Sequence, residues 1–345
     1  MNKSKLLKIY KNFLKIRLCQ EKIVEKYHPD DKMKCPMHLC IGQELTPSIL
    51  GYYLNKNDSI FSHHRSHGYF LANNGSMKEM IAEFYGKETG TNGGLAGSQE
   101  LSCTKTNFYS GTILSGAFAM AVGDAYAKIS NKSKNISVAV IGDGGMEEGI
   151  TFEAINLAHL MKLPVLFICE NNKYSTHTNI KERSKTFFVS DKIRGFGIKT
   201  ILVKKQSLSK IDLQIENIIK NMRKDKKPVF IEILTYRFNG HVGPEGDDHF
   251  NYRPKKEINY WKNNDPLIKI EKKINSKKIV NKYRNEIAKE INSSFNFAKR
   301  SKLAKKWKQY NFNNSYSKVV KSFYKKKLFF SSSQEEHKPN SVKPY

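Results

Sequence analysis

The clearest pattern of apolar and polar positions lies in the middle of the chain, over residues 138–172. Residues 138–141 are a short, β-branched apolar run that stops at glycines, which is typical of a buried strand ending in a tight turn. Over residues 147–161 apolar side chains recur at helical spacing, and residues 165–169 form a second apolar run. The pattern predicts a strand–helix–strand unit whose strands are parallel and whose crossover is right-handed.

The flanking regions are predicted to complete the same domain. Residues 3–27 and the Ala- and Gly-rich residues 113–129 favour helices, and residues after about 263 are polar and helical in pattern. Strands are predicted at 200–203 and 229–234, with an amphipathic helix between them. Alternating strands and helices of this kind predict an α/β fold with a doubly wound parallel sheet.

Composition places the chain among globular proteins without a membrane span. Its 345 residues are 39% hydrophobic and 27% charged, which is enough to bury a sizeable core. No apolar run approaches the roughly 18 residues of a membrane span, and lysines interrupt the first 20 residues, unlike a secretory signal. The expectation is a cytoplasmic protein that does not associate with membranes.

The formal net charge of +28 raises nucleic-acid binding as a rival function. The lysines are spread along the whole chain together with abundant Asn and Ile, and no zinc finger, RNA-recognition signature or glycine-lysine phosphate loop is present. A lysine-rich solvated surface without a nucleic-acid partner is therefore the favoured interpretation.

The five cysteines are odd in number and widely separated, which argues against a disulfide framework. Cys35, His38 and Cys40 are the one cluster of soft metal ligands. Their spacing matches no standard zinc pair and no fourth ligand is in view, so a zinc site is not favoured.

Polar residues follow both strands of the central unit. Gly142-Asp143-Gly144 follows the first strand and Asn172 the second, and ligands of such sheets bind at the carboxyl ends of the strands. The glycines allow the backbone to approach an anion, and the next helix start offers free N–H groups to phosphate. A carboxylate and an amide oxygen, with phosphate oxygens added, suit Mg²⁺. Gly-Asp-Gly, 26 residues and then Asn-Asn is a specific signal.

The segment 142–178 resembles the thiamine-diphosphate signature of alpha subunits of 2-oxo acid and acetoin dehydrogenases, the decarboxylating component. His38-Leu-Cys-Ile-Gly-Gln43-Glu44 is similar to the HL..GQE element of that family, and His64-Arg65-Ser-His67-Gly to its tyrosine-arginine-x-histidine-glycine element. The later landmarks are Glu232 through His241, Tyr252-Arg253 and Asp265-Pro266. The resemblance covers roughly residues 5–300.

The resemblance implies a role for each matched position. The implied metal ligands are the side chains of Asp143 and Asn172 and the carbonyl of Tyr174. The implied cofactor-binding residues are Arg65, Thr112, Leu114, Gly142, Asp143, Gly144, Gly145, Asn172, Tyr174 and His241. Leu114 would hold the two cofactor rings in a bent shape, and Arg65 would pair with a phosphate oxygen. The implied catalytic residues are His241, His67 and His64.

The resemblance also implies the chemistry and the partners. With thiamine diphosphate and Mg²⁺, the enzyme would cleave the bond next to the carbonyl of a pyruvate-like 2-oxo acid or an acetoin-like ketone. The acyl group would pass to an acceptor such as the lipoyl group of an acyltransferase. The glutamate that activates the cofactor comes from a beta subunit in this family, so a heterotetramer is implied. Residues 1–300 would form the cofactor domain, and residues 301–345 a basic, partly disordered extension.

Two departures from the family pattern bear on the substrate. His64 stands where many members have tyrosine, and Glu100, in Ala96-Gly-Ser-Gln-Glu100, stands where many have an active-site histidine. A carboxylate there disfavours an anionic substrate. The loop after His241 contains no Ser or Thr, so the phosphorylation that inhibits some relatives has no acceptor in it. The alternatives are a self-sufficient thiamine-diphosphate enzyme of carbohydrate metabolism and a basic nucleic-acid-binding protein on an inactive scaffold.

Overall fold

The computed structural model describes residues 1–27, 33 and 35–305. Within these residues seven strands form one sheet, and two further strands, β6 and β7, form a separate hairpin. The strands are β1 (Ser59–Ser62), β2 (Ser102–Cys103), β3 (Phe108–Ser110), β4 (Ser137–Gly142), β5 (Val165–Asn171), β6 (Tyr174–Ser175), β7 (Thr178–Asn179), β8 (Lys199–Val203) and β9 (Val229–Leu234).

The strand order in the sheet is β2-β3-β1-β4-β5-β9-β8. Every neighbouring pair is parallel except β2 with β3. The carboxyl ends of β1, β4 and β5 therefore lie side by side at one edge of the sheet. This position is where the sequence predicts the ligand.

Helices cover both faces of the sheet. They are α1 (Lys3–Lys26), α2 (Leu45–Tyr53), α3 (His67–Ala72), α4 (Met77–Phe84), α5 (Gly116–Ser130), α6 (Gly149–Leu160), α7 (Ile180–Arg183), α8 (Val189–Arg194), α9 (Leu208–Asp225), α10 (Lys255–Asn263), α11 (Pro266–Ile274) and α12 (Lys277–Arg300). Alternate residues of β4 enter two different cores, because successive strand side chains point to opposite faces. Val138 and Val140 pack with α1, α2 and α9, while Ala139 and Ile141 pack with α5 and α6. The predicted doubly wound α/β fold is confirmed.

The central unit forms as the sequence predicts, with one shift in the helix. β4 and β5 are parallel, and Gly142 is paired with Glu170. The helix predicted from residue 147 begins at Gly149, because a short 3-10 turn over Gly145–Glu147 and an extended Glu148 come first. The helix predicted from residue 113 likewise begins at Gly116.

A buried ionic cluster fixes the segment that precedes α2. Arg17 of α1 lies between the carboxylates of Glu44 and Asp265, and its Nη1 is 2.7 Å from Asp265 Oδ2. Glu44 also accepts a hydrogen bond from the N–H of Gly42 at 2.9 Å. Because removing one partner of such a buried set leaves an uncompensated charge, the cluster holds α1, α11 and this segment in one arrangement.

Residues Met1–Ala304 form one compact unit. The predicted boundary at residue 300 stays a prediction, and most of the predicted basic extension, residues 306–345, lies outside the described residues. Among the helices described, none is both long and apolar enough to cross a membrane.

Candidate active site

The ends of β4 and β5 bring Asp143 and Asn172 together. Asp143 follows the last residue of β4 and Asn172 the last residue of β5, and the two strands are parallel neighbours. The N–H of Asn172 donates a hydrogen bond to Asp143 Oδ1 at 3.3 Å. Both residues are buried. Two oxygen-bearing side chains, 29 positions apart in sequence, therefore share one corner of the sheet edge, called here the Asp143 corner.

The Asn172 amide is held by its own loop and by Gln43. Its Oδ1 accepts a hydrogen bond from the N–H of Tyr174 at 3.1 Å, and its Nδ2 donates to Gln43 Oε1 at 3.4 Å. Gln43 Nε2 in turn donates to Glu170 Oε2 at 3.3 Å. Burial raises the pKa of Glu170 to about 8, so this carboxyl is largely protonated at neutral pH. The orientation of the Asn172 amide is thus fixed by hydrogen bonds to both its oxygen and its nitrogen.

Asp143 already has a cationic partner in this chain. Its side chain is 1% exposed, and its Oδ2 lies 2.5 Å from Nη2 of Arg183. Nη1 of the same guanidinium lies 2.6 Å from Glu147 Oε1. Burial raises the pKa of Asp143, and Arg183 opposes that rise. No motif or periodic pattern in the sequence singles out Arg183.

Two hydroxyl groups fix the glycine turn that follows β4. Ser115 Oγ and Thr151 Oγ1 donate hydrogen bonds to the carbonyl of Gly145, at 2.6 and 3.0 Å. A Cβ built on Gly145 would lie 3.2 Å from Cβ of Leu114. Leu114 therefore lies directly against the turn, and its role beneath a cofactor stays a prediction.

Thr112 lies beside this turn in an exposed stretch of chain. Its hydroxyl donates to the carboxylate of Glu100, the residue that departs from the family pattern. Both residues are exposed, and Ile113 between Thr112 and Leu114 is 77% exposed. The residues implied to contact the cofactor rings thus form an open edge of the site.

Arg65, which follows the carboxyl end of β1, is a buried cation without a carboxylate partner in the described part of the chain. Its guanidinium donates to the carbonyls of Leu39 and His241, at 2.6 and 3.0 Å. Burial, and then the neighbouring Arg237, lower the pKa of Arg65 to about 9. A buried charge of this kind is costly unless an anion compensates it, so Arg65 fits a phosphate ligand.

Three histidines surround Arg65. The ligand nitrogens of His38, His64 and His241 all lie within 4.8 Å of one another. Burial, followed by the charge of Arg65, lowers the pKa of His38 to about 2 and of His241 to about 3. Burial also lowers the pKa of His64. The three imidazoles are therefore neutral at physiological pH and able both to donate and to accept hydrogen bonds. Arg65 and these histidines are called here the Arg65 corner.

A carboxylate-centred cluster holds His241. Asp247 Oδ2 accepts from the N–H of His241 at 3.0 Å and from Tyr252 Oη at 2.5 Å. Asp247 also forms ion pairs with Arg237, at 3.3 Å, and Arg253, at 2.9 Å. Although burial opposes it, the bond from Tyr252 and the two arginines keep the pKa of Asp247 below its usual range. The loop without Ser or Thr is thus fixed by a permanent negative charge.

His67 is placed apart from the other predicted catalytic residues. It is fully buried, with Nδ1 3.2 Å from Gln20 Nε2 and Nε2 3.3 Å from the carbonyl of Ser98. Its ring lies 4.9 Å from that of Phe84. The structure does not bring His67 into the His38–His64–His241 cluster, and its catalytic role stays a prediction.

Known protein families and proteins include clear relatives of this chain. A family model described as the dehydrogenase E1 component matches residues 13–306. A relative from Rickettsia felis, named pyruvate dehydrogenase E1 component subunit alpha, is 32% identical over 294 residues, which cover 85% of this chain and 88% of the relative. A mitochondrial protein of the same name from Dictyostelium discoideum is 32% identical over 282 residues, which cover 81% and 72%.

A solved structure with a similar fold is the transketolase of Campylobacter jejuni. The TM-score is 0.52 at 17% sequence identity, and the match covers 84% of this chain. The match covers 49% of the transketolase chain, so this chain corresponds to about half of that protein. At this identity the likeness concerns the fold alone.

Proposed function

The chain belongs to the dehydrogenase E1 component family, and from this premise we propose that it is the alpha subunit of an enzyme that decarboxylates a pyruvate-like 2-oxo acid. The predicted membership of the thiamine-diphosphate-dependent 2-oxo acid dehydrogenases is confirmed by the family match and by relatives about 30% identical over most of the chain. The names of those relatives support pyruvate, or a close analogue, as the substrate.

One observation carries the proposal: opposite charges are buried at neighbouring strand ends of one sheet edge. Asp143 and Asn172 offer oxygen ligands after β4 and β5, and Arg65 offers an uncompensated cation after the adjacent β1. A divalent ion bound to a diphosphate matches this arrangement, because it brings a cation for one corner and an anion for the other.

The residues present fit thiamine diphosphate with Mg²⁺. Asp143, Asn172 and the Tyr174 carbonyl would ligate the ion, and the N–H groups of the turn Gly142–Gly145 would meet the diphosphate together with Arg65 and His241. Leu114 and Thr112 would contact the rings. When bound, thiamine diphosphate supplies the nucleophilic carbon and the electron sink for cleavage next to a carbonyl.

The histidines would act on the substrate. A neutral His64 or His241 can donate an N–H hydrogen bond to a substrate carbonyl and later move a proton, which a permanently charged side chain does less readily. Arg65 beside them would favour an anionic carboxylate or phosphate group. This combination suits a small 2-oxo acid whose carboxylate leaves as carbon dioxide.

An acetoin-like ketone is the second candidate substrate, and Glu100 favours it. The carboxylate of Glu100 is bonded to Thr112 at the open edge of the site, where it would repel an anionic substrate but not a neutral ketone. The substrate test below therefore includes acetoin.

We further propose a beta subunit as the obligatory partner. The relatives are named alpha subunits, and large apolar side chains are exposed on and next to the adjacent helices α5 and α6. These side chains are Ile113, Met120, Ile150, Leu157, Leu160 and Met161. Because soluble monomers rarely expose such surface, the helices are suited to bury it against another subunit in a heterotetramer.

A lipoyl-bearing acyltransferase is the proposed acyl acceptor, and a cytoplasmic location stays a prediction.

Reconstitution tests the function. The chain is purified alone and together with a beta subunit of this family, and both preparations are titrated with thiamine diphosphate in Mg²⁺. We expect the alpha–beta pair to bind thiamine diphosphate tightly and to decarboxylate a 2-oxo acid, and the isolated chain to do neither. Turnover by the isolated chain would instead support a self-sufficient enzyme. Nucleic-acid binding with a steep salt dependence and no cofactor affinity would support the basic binding protein. A panel of 2-oxo acids and acetoin identifies the substrate.

A further inference from the structure

The segment that follows β5 lies over the glycine turn. Residues 174–183, called here the strap, comprise the β6–β7 hairpin and α7. A Cβ built on Gly144 would lie 2.6 Å from Oγ of Ser175 and 2.9 Å from its Cβ. The strap therefore closes one side of the turn that the cofactor diphosphate is proposed to approach.

The last residue of the strap neutralises the Asp143 corner. Arg183 Nη2 lies 2.5 Å from Asp143 Oδ2, while Asp143 Oδ1 accepts the N–H of Asn172. Both carboxylate oxygens are thus engaged within the chain. Because a buried carboxylate without a counter-charge is costly, Arg183 stabilises the Asp143 corner.

A divalent ion and Arg183 would compete for the negative charge of one carboxylate, because both Asp143 oxygens already accept hydrogen bonds within the chain. Two cations held against one carboxylate would repel each other. Binding of the ion then requires Arg183 to move.

Resting on the proposed function, we propose that Arg183 is a built-in substitute for the divalent cation and that Arg183 must release Asp143 before the metal-bound cofactor can bind. Loading of the cofactor is therefore a competition between an internal cation and an external one.

The tip of the strap is attached to the cluster that holds His241. The Thr176 carbonyl accepts a hydrogen bond from Arg237 at 2.5 Å, and His177 Nε2 lies 3.6 Å from Asp247 Oδ2. Asp247 also accepts the N–H of His241. The carboxylate of Asp247 thus lies between the tip of the strap and the backbone of His241.

The test uses the reconstituted alpha–beta complex with Arg183→Gln, and Arg194→Gln as the matched control. Arg194 is an exposed arginine that pairs only with Asp191 in the described residues. Mn²⁺ replaces Mg²⁺ so that electron paramagnetic resonance reports metal binding in the presence of thiamine diphosphate, and thermal unfolding is recorded without either ligand.

Opposite changes are expected in the two measurements. Arg183→Gln lowers the melting temperature of the ligand-free complex, because Asp143 loses its partner, and tightens Mn²⁺–thiamine diphosphate binding by about 3- to 10-fold, because the competitor is gone. Arg194→Gln changes neither. Arg183→Lys, which keeps the charge, should fall between wild type and Arg183→Gln in both measurements.

Unchanged or weaker metal binding by Arg183→Gln, with normal binding by wild type, overturns the strap proposal and leaves the proposed function standing. If Arg183→Gln fails to fold, the Arg183→Lys variant serves as the test. The proposal then requires Arg183→Lys to bind Mn²⁺–thiamine diphosphate more tightly than wild type. A wild-type complex that binds no metal–thiamine diphosphate overturns the proposed function together with the strap.

Discussion

The Asp143 corner and the Arg65 corner handle buried charge in opposite ways. Asp143 is compensated within the chain by Arg183, whereas Arg65 contacts carbonyls and neutral histidines and forms no ion pair among the described residues. Under the proposed function, each corner would bind one half of a metal–diphosphate. Among the described residues, Arg183 stands in for the cation beside Asp143, whereas no carboxylate stands in for the anion beside Arg65.

This difference between the two corners determines how much each corner would contribute to the free energy of cofactor binding. At the Asp143 corner a divalent ion would replace an existing contact, so the net gain would be a difference between two cation–carboxylate interactions. At the Arg65 corner a phosphate would meet a charge that burial leaves uncompensated, and the full interaction would be gained. We therefore expect the two corners to respond differently to substitution, and four predictions test this.

Asp143→Asn should have the largest effect. The amide keeps the shape of the side chain but removes the negative charge, so the divalent ion loses its anionic ligand and Arg183 loses a partner. We expect cofactor affinity, measured by calorimetry on the alpha–beta complex, to fall at least about 100-fold, or roughly 3 kcal/mol, and the ligand-free melting temperature to fall as well. The exposed Asp191→Asn is the control. Normal cofactor affinity in Asp143→Asn would place the metal elsewhere.

Arg65→Gln should separate affinity from stability. The neutral side chain can still donate hydrogen bonds, so the ligand-free melting temperature should hold or rise as a costly buried charge disappears. Affinity for thiamine diphosphate should fall about 10- to 100-fold, and Arg65→Lys should recover only part of it because a lysine cannot make a bidentate contact. A large fall in ligand-free stability would show that Arg65 has an internal counter-charge after all.

Gly145→Ala should have a smaller effect, on the turn beside the Asp143 corner. The added Cβ would lie 3.2 Å from Leu114, which must shift. We expect cofactor affinity to fall about 3- to 10-fold, since overpacking of this size costs roughly 1 kcal/mol or more. Gly149→Ala is the matched control, because a Cβ there meets nothing within 4 Å. Equal effects of the two substitutions would exclude a special role for the turn.

The smallest effect concerns the pH dependence of the Arg65 corner. Burial lowers the pKa of His38 to about 2, of His241 to about 3 and of His64 below its usual value, so the unfolded chain binds protons more readily than the folded chain as the pH falls below about 6.5. Stability is then fully present above that pH and is lost as the pH falls.

In His64→Tyr one of these groups is removed. The decrease in melting temperature between about pH 7 and about pH 5 should therefore be smaller than in wild type by about 3 °C. His159→Gln, at the end of α6, serves as a control for a histidine outside the Arg65 corner. An identical decrease in wild type and His64→Tyr would show that the pKa of His64 is the same in the folded and the unfolded chain.

Local sequence predicted the centre of the fold well. β4 and β5 are uninterrupted apolar runs between turn residues, and the polar residues that follow them, Asp143 and Asn172, meet because parallel strands end at the same edge. The short strands β2 and β3 were not predicted, since two or three residues carry no periodic signal.

The partners of the site residues could not be predicted from local pattern. Arg183 lies 40 positions from Asp143 in a polar segment without periodicity, and Asp247 is one of several acidic residues in a glycine-containing loop. Only the folded chain shows that each of them contacts a buried charge. The resemblance to known motifs located the residues proposed to contact ligands. The residues Arg183 and Asp247, which contact those residues, had no local signal of their own.

The exposed apolar side chains on α5 and α6 have a consequence for how a cell makes this protein. Leu160 is 74% exposed and Ile113 77% exposed. A chain synthesised in excess of its partner would present this surface to other copies of itself and precipitate or be degraded. Matched production of the two polypeptides, for instance from one transcript, would keep that surface covered from the moment of assembly.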